Sequence, residues 1–459
     1  MSRRNHKNLV VLHMESLSVP ALQRGARFPE FTRMAAEGVR LTRFMSSASS
    51  SLMAVSDFMS GNGGEMDHIV NFDDPANRQR GLTPNLFDVL RRAGYRVSGN
   101  GYPVISRDDP GDWRLWGDAE RPFAWHETYD AFAAALDREL TRGEDDAPFA
   151  MYIWDLRSHL SYSTPDKPES MPGFKRVAAG HACIDATVGV VRQLLLDRGL
   201  ADDTLVVSFG DHGDQFWSRG SYFGFVHGFE PYTELIWTPA FLWGAGLAPR
   251  EHDALVSLVD LAPTLLDLLG IPAERGEAPN PGVNVLRERR PLAFSQNLFT
   301  NQMPNKALPK SFSVTSDDGW HLVMSEEGLE LFNYELDPTN HANLLVYFAM
   351  DERGALRFEP GEATHSHRRF TLNDAQVEEI LERFQCLRAA LAGLLRDKAD
   401  ACTEHPFDPS ALLRIRPRAY THNRDHRALV DLEANRLELR RLVQREGPYA
   451  ALLQPEASR

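Results

Sequence analysis

From residue 8 to residue 270 the chain alternates short apolar runs with stretches of helical spacing. NLVVLHM (8–14) is a β-rich apolar run, which predicts a buried strand. FPEFTRMAAEGVR (28–40) follows with Phe31, Met34 and Ala35 on one helical face, and Gly38 stops the pattern. TPNLFDVLRRAGYRVSGNG (83–101) repeats that order. Thr83 is the expected cap, Pro84 the first helical position and Gly94 the stop, with a strand beyond. PFAMYIWDL (148–156) predicts another buried strand, and a helical pattern from about Arg176 to Asp197 leads into the strand TLVVSF (204–209). TPAFLWGAG (238–246) reads as a further strand and SLVDLAPTLLDLLG (257–270) as a further helix.

Strands alternating with helices predict an α/β fold, a mostly parallel central sheet sandwiched by helices. The Pro/Gly/Glu-rich stretch IPAERGEAPNPG (271–282) marks a loop or linker. Beyond it, residues 311–338 predict short antiparallel strands with turns at Asp318-Gly319 and Glu327-Gly328. From about Asn373 the pattern turns helical. The expected division is a first domain over 1–285, a small-sheet subdomain over 286–370 and a helical extension over 371–459, without internal repeats. In such sheets ligands gather beyond the carboxyl ends of the strands, so Glu15, His159 and the pair Asp211–His212 are the polar residues to inspect.

Composition narrows the class of partner. Hydrophobic residues make up 42% and charged residues 25% of the 459, a globular balance. The formal net charge of −14 disfavours a nucleic-acid backbone as partner but leaves room for a small anionic substrate in a metal-filled pocket. Three scattered cysteines (Cys183, Cys386, Cys402) suit a reducing compartment and no disulfide framework. No apolar run is long enough for a signal-peptide core or a membrane span, and the expectation is a cytoplasmic protein.

The chemistry-bearing residues sit where the sheet predicts them. GDHGD (210–214) follows a strand, and its Asp211 and His212 offer a carboxylate and an imidazole suited to zinc or manganese. Taken alone, such a pair is as readily a surface hydrogen bond. Glu15, in HMES, is either a capping glutamate or a further ligand. His227 in FVHGFEPY is a candidate third imidazole, and His159 in DLRSHLSYS a candidate donor to a substrate oxygen. The run SSASSSLMAVSDFMSG (46–61) is either a polar turn or the seat of a nucleophilic hydroxyl.

The order of these segments resembles the alkaline phosphatase superfamily, specifically its sulfatase-like branch. The resemblance runs over roughly residues 8–345 and rests on NLVVLHMES, PEFTRMAAEGVRLTR (29–43), SLMAVSDFMSG (51–61), PFAMYIWDLRSHLSY, GLADDTLVVSFGDHGD, LVDLAPTLLDLLGIP (258–272) and ELFNYELDPTNHANLL (330–345). It implies a divalent metal held by Glu15, Asp211 and His212, with Ser51 completing or approaching the shell. Sulfatases carry a cysteine, matured to formylglycine, ten residues before a glycine that ends a helix. Counting back from Gly61 reaches Ser51, with Ser50 and Ser49 as rivals. At a helix N-terminus the hydroxyl would meet an anion-favouring dipole.

The chain also departs from that pattern. It lacks the cysteine and the arginine of the sulfatase CxPSR segment, and Glu15-Ser16 replaces the paired aspartates that open many sulfatases. HMES is similar to the opening of phosphoglycerol transferases. The first expectation is therefore a phosphoester hydrolase or phospho-substituent transferase passing through a phosphoserine on Ser51, with His159 or His227 serving the leaving group. The alternatives are a sulfatase that does without formylglycine and an inactive binding protein on the same fold. Manganese or zinc is expected, ahead of calcium or magnesium. The expected partner is a soluble anionic ester or glycan precursor, with homo-oligomers built through the C-terminal helices. Asp57, Arg157 and Arg219 lie near the motifs and are weaker candidates, Arg157 being one that solvent would claim equally well.

Overall fold

The computed structural model describes residues 7–20, 28–63, 85–99, 129–141, 147–159, 173–216, 225–272, 280–297, 311–325, 328–359, 372–401, 410 and 414–418. Seven strands form the central sheet: β1 (Asn8–Met14), β2 (Val39–Met45), β3 (Arg96–Gly99), β4 (Phe149–Asp155), β5 (Thr204–Gly210), β6 (Ala240–Gly244) and β7 (Arg250–Ser257). Their order is β7-β2-β6-β5-β1-β4-β3. All neighbours run parallel except β6, which is antiparallel to both β2 and β5.

β1 lies inside the sheet, between β5 and β4, and its sequence shows why. Side chains alternate between the faces of a strand, and both faces of this one are covered, so polar residues are excluded along most of its length. Leu9 and Val11 join a core that includes Phe58 and Met59 of helix α2, whereas Val10 and Leu12 join Phe31, Met34, Ile184 and Val188 on the opposite face. Helices α1 (Pro29–Ala36), α2 (Ser51–Ser60), α3 (Leu86–Arg92), α4 (Tyr129–Thr141) and α5 (Gly173–Asp197) supply those layers. The expected face of α1, Phe31, Met34 and Ala35, is the buried one.

Two helix starts differ from the sequence reading. α3 begins at Leu86 with Asn85 as its cap, the Asn85 side chain accepting a bond from the Phe87 N–H at 2.8 Å. Thr83 and Pro84, the expected cap and first position, lie outside the described residues. The 257–270 segment opens with a tight turn over Leu258–Asp260 before α6 (Leu261–Leu268), because the Asp260 carboxylate accepts the Ser257 N–H at 2.8 Å.

A second, antiparallel sheet has the strands β8 (Leu292–Asn297), β9 (Ser311–Ser316), β10 (Trp320–Ser325) and β11 (Gly328–Asn333), in that order. The turn at Asp318-Gly319 is present, with Gly319 at φ 94°, and Glu327 lies outside the described residues. Helix α7 (Asp374–Ala401) lays Ile380, Phe384, Leu387, Leu391 and Leu395 into the same apolar cluster as Phe312 and Leu322 of this sheet. Among the described residues no helix is long and apolar enough to cross a membrane.

Candidate metal centre

The odd-numbered side chains of β1 face α2, so the alternation that buries Leu9 and Val11 carries His13 and Glu15 onto the same side. Glu15 is fully buried just past the strand. Its Oε2 accepts the Trp154 indole N–H at 2.8 Å, and its Oε1 accepts the hydroxyls of Ser16 and Ser51, each at 3.1 Å. Ser16 turns the chain through φ 54°, a left-handed conformation that is rare for a side-chain-bearing residue. That turn aims its N–H at Asp211 Oδ1, 3.1 Å away.

Asp211 and His212 follow β5 directly. Asp211 Oδ1 also accepts the His212 N–H at 2.9 Å, while Oδ2 lies 3.1 Å from His13 Nε2 and 3.4 Å from His212 Nε2. Neither Gly210 nor Gly213 takes a positive φ; they permit close approach instead. A Cβ on Gly213 would stand 2.2 Å from the Glu234 carbonyl oxygen, and one on Gly210 would stand 2.3 Å from that of Leu17.

The serine run resolves by partner. Ser46 and Ser49 direct their hydroxyls to backbone carbonyls, of Ala48 at 2.8 Å and Phe229 at 2.6 Å, and Ser50 is the residue preceding α2. Ser51 opens α2, and its Oγ lies 2.9 Å from His212 Nε2. Gly61 ends the helix at φ 66°.

His227 is buried with its ring 4.0 Å from that of His212 and 5.6 Å from that of half-buried His159. Its Nδ1 is fixed by Asp214 Oδ1 at 2.7 Å. The structure thus brings Glu15, Ser51, Asp211, His212, His227 and His159 together. Arg157, read as a candidate for solvent, instead clasps Asp155, with Nε 2.8 Å from Oδ1 and further contacts to Thr187. Asp57 is buried six residues along α2 and lines a small cavity with Ser47, Asn280 and Lys398. Arg219 lies outside the described residues.

The sulfatase family model matches residues 7–271, more than half of the chain and every residue of this cluster. The chain belongs to the sulfatase family. It is similar to the choline-sulfatase of Rhizobium meliloti (strain 1021), 26% identical over 161 residues, and to human arylsulfatase A, 30% identical over 149 residues. Those matches take in 35% and 31% of this chain, and only 31% and 29% of the two relatives. The chain therefore spans about a third of the length of the curated relatives it matches. Among solved structures it resembles the phosphonate monoester hydrolase of Agrobacterium radiobacter, with a TM-score of 0.59 at 17% identity over 84% of this chain and 96% of that one. It likewise resembles a 2-O GAG sulfatase, with a TM-score of 0.63 at 15% identity over 90% and 98%. These likenesses show the sulfatase fold.

The donor atoms of this sulfatase-family pocket suit a divalent cation. Atoms of Glu15, His212 and His227 lie within 4.8 Å of one another, as do those of His13, Glu15 and Asp211. His13 Nε2 and Asp211 Oδ2 are buried without a hydrogen-bond partner next to Glu15, a placement that suits ion ligands, and His227 Nε2 is likewise left without one beside His212. Without an ion the charges lean on His212. Burial disfavours its charged form, but the Asp211 and Glu15 carboxylates override this and raise its pKa to about 10. Burial and Asp211 push Glu15 upward, yet the hydrogen bond and charge of His212 and the charge of His159 prevail and hold it at about 2. Asp211 is likewise lowered, burial being outweighed by His212 and His13. His227 is driven well below its usual value by burial and by the neighbouring His212 and His159.

Two participants escaped the sequence reading. Asp214 stands inside the quoted GDHGD, but only the fold shows that it orients a histidine thirteen residues on. His13 reads as the tail of an apolar run; the usable signal was its spacing of two from Glu15, which puts both on one face of the strand.

Proposed function

We propose that the protein is a metal-dependent hydrolase of sulfuric esters that uses the unmodified Ser51 hydroxyl as its nucleophile. The observation that carries this reading is the position of Ser51 Oγ at the start of α2, between Glu15 Oε1 at 3.1 Å and His212 Nε2 at 2.9 Å. The names of the curated relatives, choline-sulfatase and arylsulfatase, support sulfuric esters over the phosphoesters expected first from the sequence.

Glu15, Asp211 and His212 would hold the cation, with Ser51 beside them; when bound, it lowers the hydroxyl's pKa and screens the ester's charge. The protein's own groups do the rest. Ser16 and His212 backbone N–H groups and the Trp154 indole fix the two carboxylates. The free N–H groups at the start of α2 face the anionic head of the ester. Ser51 Oγ loses its proton to solvent and forms a bond to sulfur as the bond from sulfur to the ester oxygen breaks, and the departing alcohol takes a proton from the His159 side of the pocket, His227 being kept neutral by burial. Water then cleaves the sulfo-serine, restoring the hydroxyl and releasing hydrogen sulfate.

One observation favours a second reading. An unmodified serine lacks the aldehyde hydrate that formylglycine supplies, and a phosphoserine is resolved by water in the same geometry, so a phosphate or phosphonate monoester is the runner-up. The test is a comparison of kcat/KM for sulfate monoesters, phosphate monoesters, phosphonate monoesters and phosphodiesters, with manganese- or zinc-loaded protein. Fastest turnover of sulfate esters supports the proposal, and a tenfold preference for a phosphorus ester replaces it with the second reading. A folded, metal-loaded protein inactive on all of them would be a binding protein.

A further inference from the structure

We propose that His13 is a ligand of the cation held by Glu15 and Asp211, an inference that rests on the metal-centre reading above. His13 is 1% exposed, inside the central strand. Its Nε2 and Asp211 Oδ2 stand 3.1 Å apart, yet neither has a hydrogen-bond partner. At that distance the two atoms are close enough to bind one ion together. A Glu15 carboxylate oxygen lies within 4.8 Å of both and completes the group. The separation of 3.1 Å is that of neighbouring ligands around an ion with bonds of about 2.1 Å.

The surroundings hold the ring for this role. Trp154 and Phe209, the register partners of His13 on the flanking strands, stack on it at 4.5 Å and 5.3 Å, nearly parallel. The Trp154 indole also binds Glu15, so one side chain sets the positions of two donors. On the far side of the ring, Nδ1 lies 2.7 Å from the Tyr152 hydroxyl. A metal-binding imidazole needs that partner: Nδ1–H donates to Tyr152 Oη and leaves the Nε2 lone pair for the ion. Burial, with Asp211 and Glu15 nearby, keeps the Tyr152 phenol protonated and neutral. A buried imidazole nitrogen left without a partner is destabilising, and bound metal removes that penalty.

The chemical consequence is selectivity. With His13 and His212 both contributing nitrogen, the site prefers zinc to the oxygen-seeking calcium and magnesium.

The test is equilibrium competition of zinc and of calcium against a metal-sensitive dye, with bound metal counted by elemental analysis, for wild type, His13→Phe and Tyr152→Phe. His13→Phe keeps an aromatic ring in the stack and removes the nitrogen. It is expected to weaken zinc at least tenfold more than calcium, and zinc X-ray absorption should report one imidazole fewer. Tyr152→Phe is expected to shift the zinc-to-calcium ratio in the same direction, by about tenfold. An unchanged ratio and imidazole count in folded His13→Phe overturns the proposal and leaves His13 a structural link between Asp211 and Tyr152. If His13→Phe does not fold, Tyr152→Phe decides by the same ratio. A wild-type protein that takes up neither metal refutes the metal centre itself, and this inference with it.

Discussion

The Ser51 hydroxyl lies 2.9 Å from Nε2 of His212, a residue 161 positions away along the chain. Helix α2 delivers the first and the carboxyl end of β5 the second, and β1 places Glu15 between them. The three elements meet because the alternation of β1 puts Glu15 on the face that α2 covers. On the proposed reading, hydrolysis and metal uptake both depend on this junction.

Asp214 acts on the chemistry through His227. Its carboxylate fixes Nδ1 and so presents Nε2 to the pocket. Asp214→Asn is expected to lower kcat/KM by about 10- to 100-fold while leaving the folded state intact, because amide and carboxylate have the same shape. Steady-state kinetics beside circular dichroism checks this. Unaltered kcat/KM would remove His227 from the machinery.

Without a bound cation Glu15 and Asp211 depend on His212, with His159 and His13 beside it, for counter-charge. Dialysis against a chelator is expected to abolish turnover and lower the melting temperature, and manganese or zinc should restore both. At a free metal concentration 100 times Kd the stabilisation is about 2.7 kcal/mol. Calorimetry with and without metal measures it directly.

His181, on α5, gives a pH signature separate from catalysis. Burial lowers its pKa to about 4, only partly opposed by the charge of Asp214, and the Phe28 ring packs 5.3 Å away. In the unfolded chain its pKa returns to 6.5. The unfolded state thus binds the proton more readily between those values. The contribution of His181 to stability is complete above pH 6.5 and is lost as pH falls towards 4, by on the order of 3 kcal/mol. Urea unfolding at pH 5 and pH 8 should show this loss in wild type and a smaller one in His181→Leu.

Lys398 ties the C-terminal helix to the serine segment. Its ammonium is buried and donates to Gln296 Oε1 at 2.6 Å, while the Gln296 backbone bonds the Ser47 carbonyl and the Ser49 N–H. Lys398→Met retains length and removes the donor, and is expected to cost about 1–3 kcal/mol of stability. Thermal unfolding tests it; an unchanged midpoint would mean that α7 does not support the loop.

Five of the seven central strands and the face of α1 were legible from their apolar patterns, whereas β2 (VRLTRFM) and β7 (REHDALVS) were hidden by the charged residues they carry. The strand-end rule, together with the family resemblance, also singled out Glu15, Asp211 and His212. What the sequence hid was reciprocal placement. Nothing in SSASSS distinguishes Ser51 from its neighbours until Ser46 and Ser49 are seen to spend their hydroxyls on backbone carbonyls. His13 was masked by the apolar run around it. The packing of the helical extension was hidden because the apolar face of α7 acquires meaning only against Phe312 and Leu322, more than fifty residues earlier.

The central claim is that Ser51 is the nucleophile. The measurement that tests it most directly is peptide mass spectrometry of zinc- or manganese-loaded protein quenched during turnover of a sulfate monoester, run beside Ser51→Ala. The account predicts an added sulfo group, or a phospho group with a phosphorus ester, on the peptide spanning residues 46–61. It also predicts that Ser51→Ala shows no adduct and retains less than about a thousandth of the activity. Full turnover by Ser51→Ala, without an adduct in either protein, would contradict it and make a water molecule the nucleophile.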